Sequence, residues 1–148
     1  MIAERGKISW FGGPDDSGVS SSEDTAFWET WDQVVADGAE DLFLEEQPEG
    51  TTGLARRLDS YGTYYIAMRW DYDVYDHAHL KSHVALVRNP ENGMSVTCKP
   101  ADWGPHVDTD RICDVSRLTL DTLQCSTDDI VEVIYPWPDF ERKIDAIS

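Results

Sequence analysis

Two acidic side chains on short, stiff stretches of backbone are the residues of this chain best suited to chemistry. Asp102 opens Asp102-Trp103-Gly104-Pro105, and Asp114 follows Arg111 in Asp114-Val115-Ser116. The Gly-Pro pair reads as a tight turn, with Pro fixing φ and Gly free to bend. Ile112-Cys113-Asp114-Val115 reads as a short buried strand with a carboxylate inside it. A carboxylate buried alone is costly, so Asp114 must be hydrogen-bonded or paired, and Arg111 is the nearest cation in sequence. A carboxyl held this way is a candidate general acid.

Other groups could join them. Asp15 and Asp16 follow Gly12-Gly13-Pro14 and would supply a further carboxylate to a groove, or simply sit on a solvated loop. Arg56 and Arg57 are candidate partners for Asp102 or Asp114, and such pairing would lower the carboxyl pKa values and oppose an acid role. Trp10, Trp70 and Trp103 fall on or beside expected strands. Exposed, their flat faces suit the C–H face of a sugar ring; buried, they fill core volume. Trp28 and Trp31 read as core. His106 lies just beyond the Gly-Pro turn. His77, His79 and His83 sit among Asp71, Asp73 and Asp76, and the His79/His83 spacing puts two imidazoles on one helical face. A metal needs more converging ligands, and the Asp-x-Asp start lacks the glycine and distal Glu of a calcium loop. We therefore expect no metal, no cofactor and a mobile surface segment here.

The elements that must position these groups are short. Residues 7–11 alternate as a strand, and 15–24 form a polar loop. Phe27, Trp28, Trp31, Val34 and Val35 recur at helical spacing over 26–38, with Asp24 as cap and Gly38 as stop. Leu42-Phe43-Leu44 reads as a strand. Residues 63–70 are the strongest strand signal, β-branched and aromatic between turns. Residues 84–88 and 94–98 read as a hairpin around Asn92-Gly93. One or two helical turns follow over 118–124, capped by Ser116, and 129–135 form a last strand stopped by Pro136 and Pro138. Many short strands with two short helices indicate a small β-barrel.

At 148 residues and 41% hydrophobic composition the chain suits a single domain over 1–148. A net charge of −17 argues against nucleic acid, whose binders neutralise phosphate with Lys and Arg. It also opposes an anionic membrane, and it favours a cationic protein partner, a salty medium or plain solubility. No apolar run is long enough to span a bilayer, and MIAERGKISWFGG lacks the apolar stretch of a secretory signal. A chain complete as read would be cytoplasmic when synthesised, leaving by lysis, by a specialised route or in a virus particle. Cys98, Cys113 and Cys125 read as reduced thiols, with Cys113 in the core.

The string DWGPHVDTDRICDVSRLTLDTLQCSTDDIVEVIYP resembles the C-terminal half of the double-psi β-barrel in RlpA-like proteins and expansins. There an Asp-x-Gly-Pro turn precedes Arg-x-x-Asp-x-Ser, a short helix and a Val-x-Val strand. KISWFGG is similar to the opening strand of that barrel, and LARRLDSYGTYYIAMRW to the segment leading into its second main strand. The resemblance covers roughly residues 7–14 and 53–136, around an insertion at about 71–92 and a helix-bearing stretch at 20–45. It implies a six-stranded double-psi barrel with one or two short helices, a surface insertion and a tail at 137–148. It also implies a module that binds peptidoglycan or a related cell-wall glycan, as a lytic transglycosylase or glycoside hydrolase if it cleaves. Asp102 matches the family's catalytic acid and Asp114 the Asp of its Asp-x-Ser element. Trp103, His106, Trp10 and Arg111 would contact substrate. The family's Thr-Ala-x-Gly-Glu element has no counterpart; Glu23 stands nearest, and the histidine of its Ala-His pair falls at Arg56. The alternative is a non-catalytic structural or assembly protein, such as a bacteriophage virion component held by neighbouring subunits, that keeps the barrel.

Overall fold

A computed structural model describes residues 1–138, so the expected tail lies outside the described residues from 139 onward. Six strands are formed: β1 (Ile2–Trp10), β2 (Tyr65–Met68), β3 (Val84–Arg88), β4 (Ser95–Trp103), β5 (Arg111–Val115) and β6 (Ile130–Trp137). They close into one barrel in the order β1-β5-β2-β4-β3-β6. The expected mainly β, six-stranded barrel with short helices is therefore what the chain adopts. β1 with β5 and β2 with β4 are parallel, and the other four pairs are antiparallel. Neither parallel pair joins strands consecutive in sequence, which separates this barrel from an up-and-down one.

Ile8 pairs with Cys113, and Val115 with Ile66. All four side chains are fully buried, as are Val87, Cys98, Val133 and Tyr135. Burying each such aliphatic side chain contributes roughly 1.5–3 kcal/mol. Because strand side chains alternate, the residues between these core positions face outward, and the carboxylates are among them. The cysteines are all free and buried.

Among the described residues three short helices, where one or two were expected, flank the barrel: α1 (Trp31–Ala36), α2 (His77–Ser82) and α3 (Arg117–Thr122). Ser116 caps α3 as expected, its hydroxyl accepting from Thr119 N–H at 3.2 Å. α1 is shorter than the helical spacing over 26–38 suggests. Asp24 does not cap it, because its Oδ1 accepts from Leu54 N–H instead, and Thr25 Oγ1 accepts from Trp28 N–H. Thr30 is the cap that forms, accepting from Gln33 N–H.

Several strands also differ from expectation. The strand expected over 94–98 continues as β4 to Trp103, because its second half pairs with β2, so Asp102 lies in a strand and the turn begins only at Gly104. β1 begins at Ile2, since the polar stretch 3–7 pairs antiparallel with β6, a tertiary pairing that local propensity does not show. Leu42-Phe43-Leu44 is no strand: a 3₁₀ turn at Glu40–Leu42 leads to a single bridge between Phe43 and Leu58. β6 runs through Pro136, which is tolerated because pairing with β1 ends at Ile2 and Tyr135 and because Pro136 falls at the register shift in the pairing with β3, between Val84 and Leu86. Within the stretch 71–92, β3 is a barrel strand between β4 and β6. The part outside the barrel is anchored: Leu80 is fully buried, Tyr75 packs edge-on to Tyr135, and Asp76 caps α2 by accepting from His79 N–H.

Candidate functional site

The pairing register puts four small or acidic residues in one row across the outer face of the barrel. Ser9 on β1 pairs with Asp114 on β5, Asp114 with Ala67 on β2, and Ala67 with Asp102 on β4. Paired residues on neighbouring strands share a face, so both carboxyls stand on either side of the Ala67 methyl. Strand spacing sets their backbones roughly 10 Å apart. Ala67, between the two acids, and Ser9, beyond Asp114, are short side chains that are themselves buried.

Asp102 is largely buried, and its Oδ1 accepts from Ala26 N–H at 2.7 Å and from Trp103 N–H at 2.8 Å. Burial nevertheless raises its pKa to about 6; the two backbone donors pull the other way, and the charge of Glu23 adds to the rise. Asp114 also rises to about 6, again chiefly through burial. Arg111 and Arg69 oppose that rise, while Asp16 and Asp102 reinforce it. Its Oδ1 is buried without a hydrogen-bond partner among the described residues. An oxygen so placed does little to stabilise an ionised carboxylate, consistent with the upward shift.

The segment bearing Ala26 is held by a second segment from far along the chain. Thr52 and Gly53 N–H donate to Ser21 O, Ala55 N–H donates to Glu23 O, and the Arg56 guanidinium donates to Val19 O. A side chain at Gly53 would place its Cβ 2.2 Å from Glu23 O, so only glycine allows this approach. At the other end, Trp70 Nε1–H donates to Asp102 O at 2.9 Å, and Trp103 Nε1–H donates to Trp70 O at 3.0 Å. Arg69 spans the strand ends by donating to Pro105 O and Arg111 O.

Asp102 and Asp114 are thus brought to one face, with Asp16 close enough to act on Asp114 electrostatically. Asp16 is fixed by Gly12 N–H and Gly18 N–H, which donate to its two oxygens. Arg111 does not pair with Asp114; its Nε–H donates to Asp128 at 2.8 Å. Arg56 and Arg57 are likewise engaged elsewhere. Arg57 donates to Leu44 O and Glu45 O and stacks 3.5 Å over the Trp31 ring, so neither arginine neutralises the acids. Trp103 follows Asp102 at the strand end and is 43% exposed. Trp10 lies under the Arg117 guanidinium, in register with Val115. His106 is exposed, its Nδ1 accepting from Asp108 N–H at 3.2 Å.

The sequence did not single out Ser9, Ala67, Arg69, Tyr72 or Ala26. Only register reveals the first two, and Ala26 contributes a backbone group that carries no residue signature. Tyr72 is close enough for the Asp102 charge to add to the upward shift that burial imposes on its phenol. Among the described residues no three His, Cys, Asp or Glu side chains are grouped to hold a metal ion, and no helix is long and apolar enough to cross a membrane.

No family model matches this chain, and no curated protein is significantly similar to it in sequence. Two carboxyls near pKa 6 on one face, one hydrogen-bonded through a single oxygen and one with an unpartnered oxygen, can take up and release protons near neutral pH.

Proposed function

We propose that this chain is a glycan-directed module of the RlpA-like or expansin-like kind, acting on peptidoglycan or a related cell-wall polysaccharide over the row Ser9–Asp114–Ala67–Asp102. The observation that carries this reading is the pair Asp102 and Asp114, both with pKa raised to about 6 and both paired with Ala67. The Asp-x-Gly-Pro and Asp-x-Ser motifs that suggested the family are the same elements that deliver these two carboxyls.

Binding precedes cleavage in this scheme. A sugar chain crossing the row meets the partly exposed Asp102 and Asp114 and, at the end of β4, the exposed Trp103. Cleavage needs a proton delivered to the glycosidic oxygen and activation of an attacking hydroxyl. Asp102 is the proton carrier: with a pKa of about 6 it is protonated in roughly a tenth of molecules at pH 7, and its ionised form is held by two backbone donors. Asp114 tunes it, since its own charge state sets the local field.

Incubating the protein and its Asp102→Asn variant with peptidoglycan sacculi tests this. Expected are co-sedimentation of both proteins and anhydro-muropeptides, seen by mass spectrometry, from the wild type alone. Sedimentation of both without product leaves a binding module. Neither binding nor product overturns the glycan reading and favours the structural role.

A further inference from the structure

Beside Asp102 the protein carries an open, polar surface cavity between α1 and α2, about 410 Å3 in volume, lined by Ala26, Phe27, Gln33, Asp37, His77 and Lys81 among others. Ala26 belongs to both places: its N–H donates to Asp102 Oδ1, and its side chain borders the cavity. One partly exposed ring lines it, that of His77. His77 lies between Phe27, at 5.1 Å between ring centres, and Tyr72, at 4.7 Å.

The polar groups of this cavity are already held in place. Asp37 Oδ2 accepts from Trp28 Nε1–H at 2.8 Å and from Lys81 at 2.7 Å, and these bonds hold its carboxyl below the usual range. Gln33 accepts from Glu29 N–H through Oε1, while its amide nitrogen has no protein partner among the described residues. Preorganised donors and acceptors beside the His77 ring suit a sugar ring, which offers hydroxyls at its rim and C–H groups on its faces. The Lys81 charge is matched by Asp37, and the whole chain carries −17, so a phosphorylated sugar is disfavoured in this cavity.

We propose that the α1/α2 cavity is a saccharide subsite that seats an uncharged sugar unit of the chain whose neighbouring unit lies at Asp102. This rests on the glycan reading of the Asp102–Asp114 row and extends it. Affinity then depends on chain length, because a short oligomer occupies the row alone and a longer one reaches the cavity. α1, α2 and the cavity between them lie in the two stretches that the family resemblance leaves out, so the subsite is a property of this chain.

The test measures binding of β-1,4-linked N-acetylglucosamine oligomers, from disaccharide to hexasaccharide, by calorimetry, with co-sedimentation on sacculi alongside. Two variants are used. Ala36→Trp fills the cavity from an exposed position of α1, and His77→Leu removes the ring that lines it. The expected result is that the longer oligomers bind the wild type roughly tenfold or more tightly than the disaccharide, a gain lost in Ala36→Trp and reduced in His77→Leu. Disaccharide binding stays unchanged in Ala36→Trp. If Ala36→Trp keeps the full length dependence, the subsite is overturned while the Asp102 row stands. If the wild type binds neither oligomers nor sacculi, the glycan reading fails and the subsite falls with it.

Discussion

The backbone N–H of Ala26 donates to the carboxylate of Asp102 at 2.7 Å, joining residues 76 positions apart. This bond ties the loop after β1 to the end of β4, and it is the point where the acid row meets the cavity between α1 and α2. Its geometry depends on the zipper between residues 19–24 and 52–56, and so on Gly53.

Replacing Gly53 should therefore affect both stability and the site. The added methyl of Gly53→Ala would meet backbone, Glu23 O at 2.2 Å, which cannot rotate aside as a side chain end would. We expect a loss of about 1–3 kcal/mol in urea unfolding, typical of overpacking. Because Ala26 moves with this segment, the Asp102 carboxyl resonance should also shift in the NMR spectrum. An unchanged resonance would mean that Ala26 is positioned by something other than the zipper.

How much of this was legible in the sequence follows from what each residue contributes. Strands with strong local patterns, such as Tyr65–Met68 and the Val84–Arg88 hairpin, were readable, as was the Ser116 cap. The two acids were readable as types and motifs. Their shared face was not, because it rests on the pairing of Ala67 with both Asp102 and Asp114, a long-range register. Arg111 looked like the natural partner of Asp114, yet Asp128 on the following loop takes it. The anchoring of the segment after residue 70 also escaped, since Leu80 is the only fully buried side chain within α2.

Asp102→Asn should preserve the fold and remove cleavage. The amide oxygen can still accept from Ala26 and Trp103, so the backbone contacts survive, while the proton at the reacting oxygen is lost. Loss of a general acid typically lowers the rate by about 10²–10⁴-fold. Muropeptide release should fall by that factor with sacculus binding retained, and a variant that stays active would remove Asp102 from the chemistry.

Asp114→Asn should stabilise the protein at neutral pH. The folded pKa of about 6 lies above the ordinary carboxyl value of 3.8, so the carboxyl's contribution is full below pH 3.8 and is lost as pH rises through 6. Above that pH the wild type holds a poorly solvated charge that asparagine does not carry. We expect a gain of about 2 kcal/mol at pH 8 that vanishes near pH 4, measured by urea unfolding at both pH values. A residue whose removal stabilises the fold is retained for another reason, and a destabilised variant at pH 8 would instead make Asp114 structural.

The opposite pH dependence is expected at α2. His79 and His83 stack with ring centres 3.8 Å apart, and His79 Nδ1 lies 2.8 Å from the Tyr135 hydroxyl. Burial lowers the His79 pKa below 6.5, the neighbouring His83 lowers it further, and Asp76 partly offsets both. The folded state therefore prefers the neutral ring. Its contribution is present above pH 6.5 and is lost as pH falls through the folded pKa, because the unfolded chain then binds more protons. Over the same acid range Asp102 and Asp114 favour the folded state, so the wild-type curve alone mixes two effects of opposite sign. Comparing it with His79→Gln isolates the histidine: the variant's stability deficit should shrink as pH drops from 7.5 to about 5. Proton NMR titration of the ring checks the cause directly, and a His79 pKa above 6.5 would show that the stack does not hold the ring neutral.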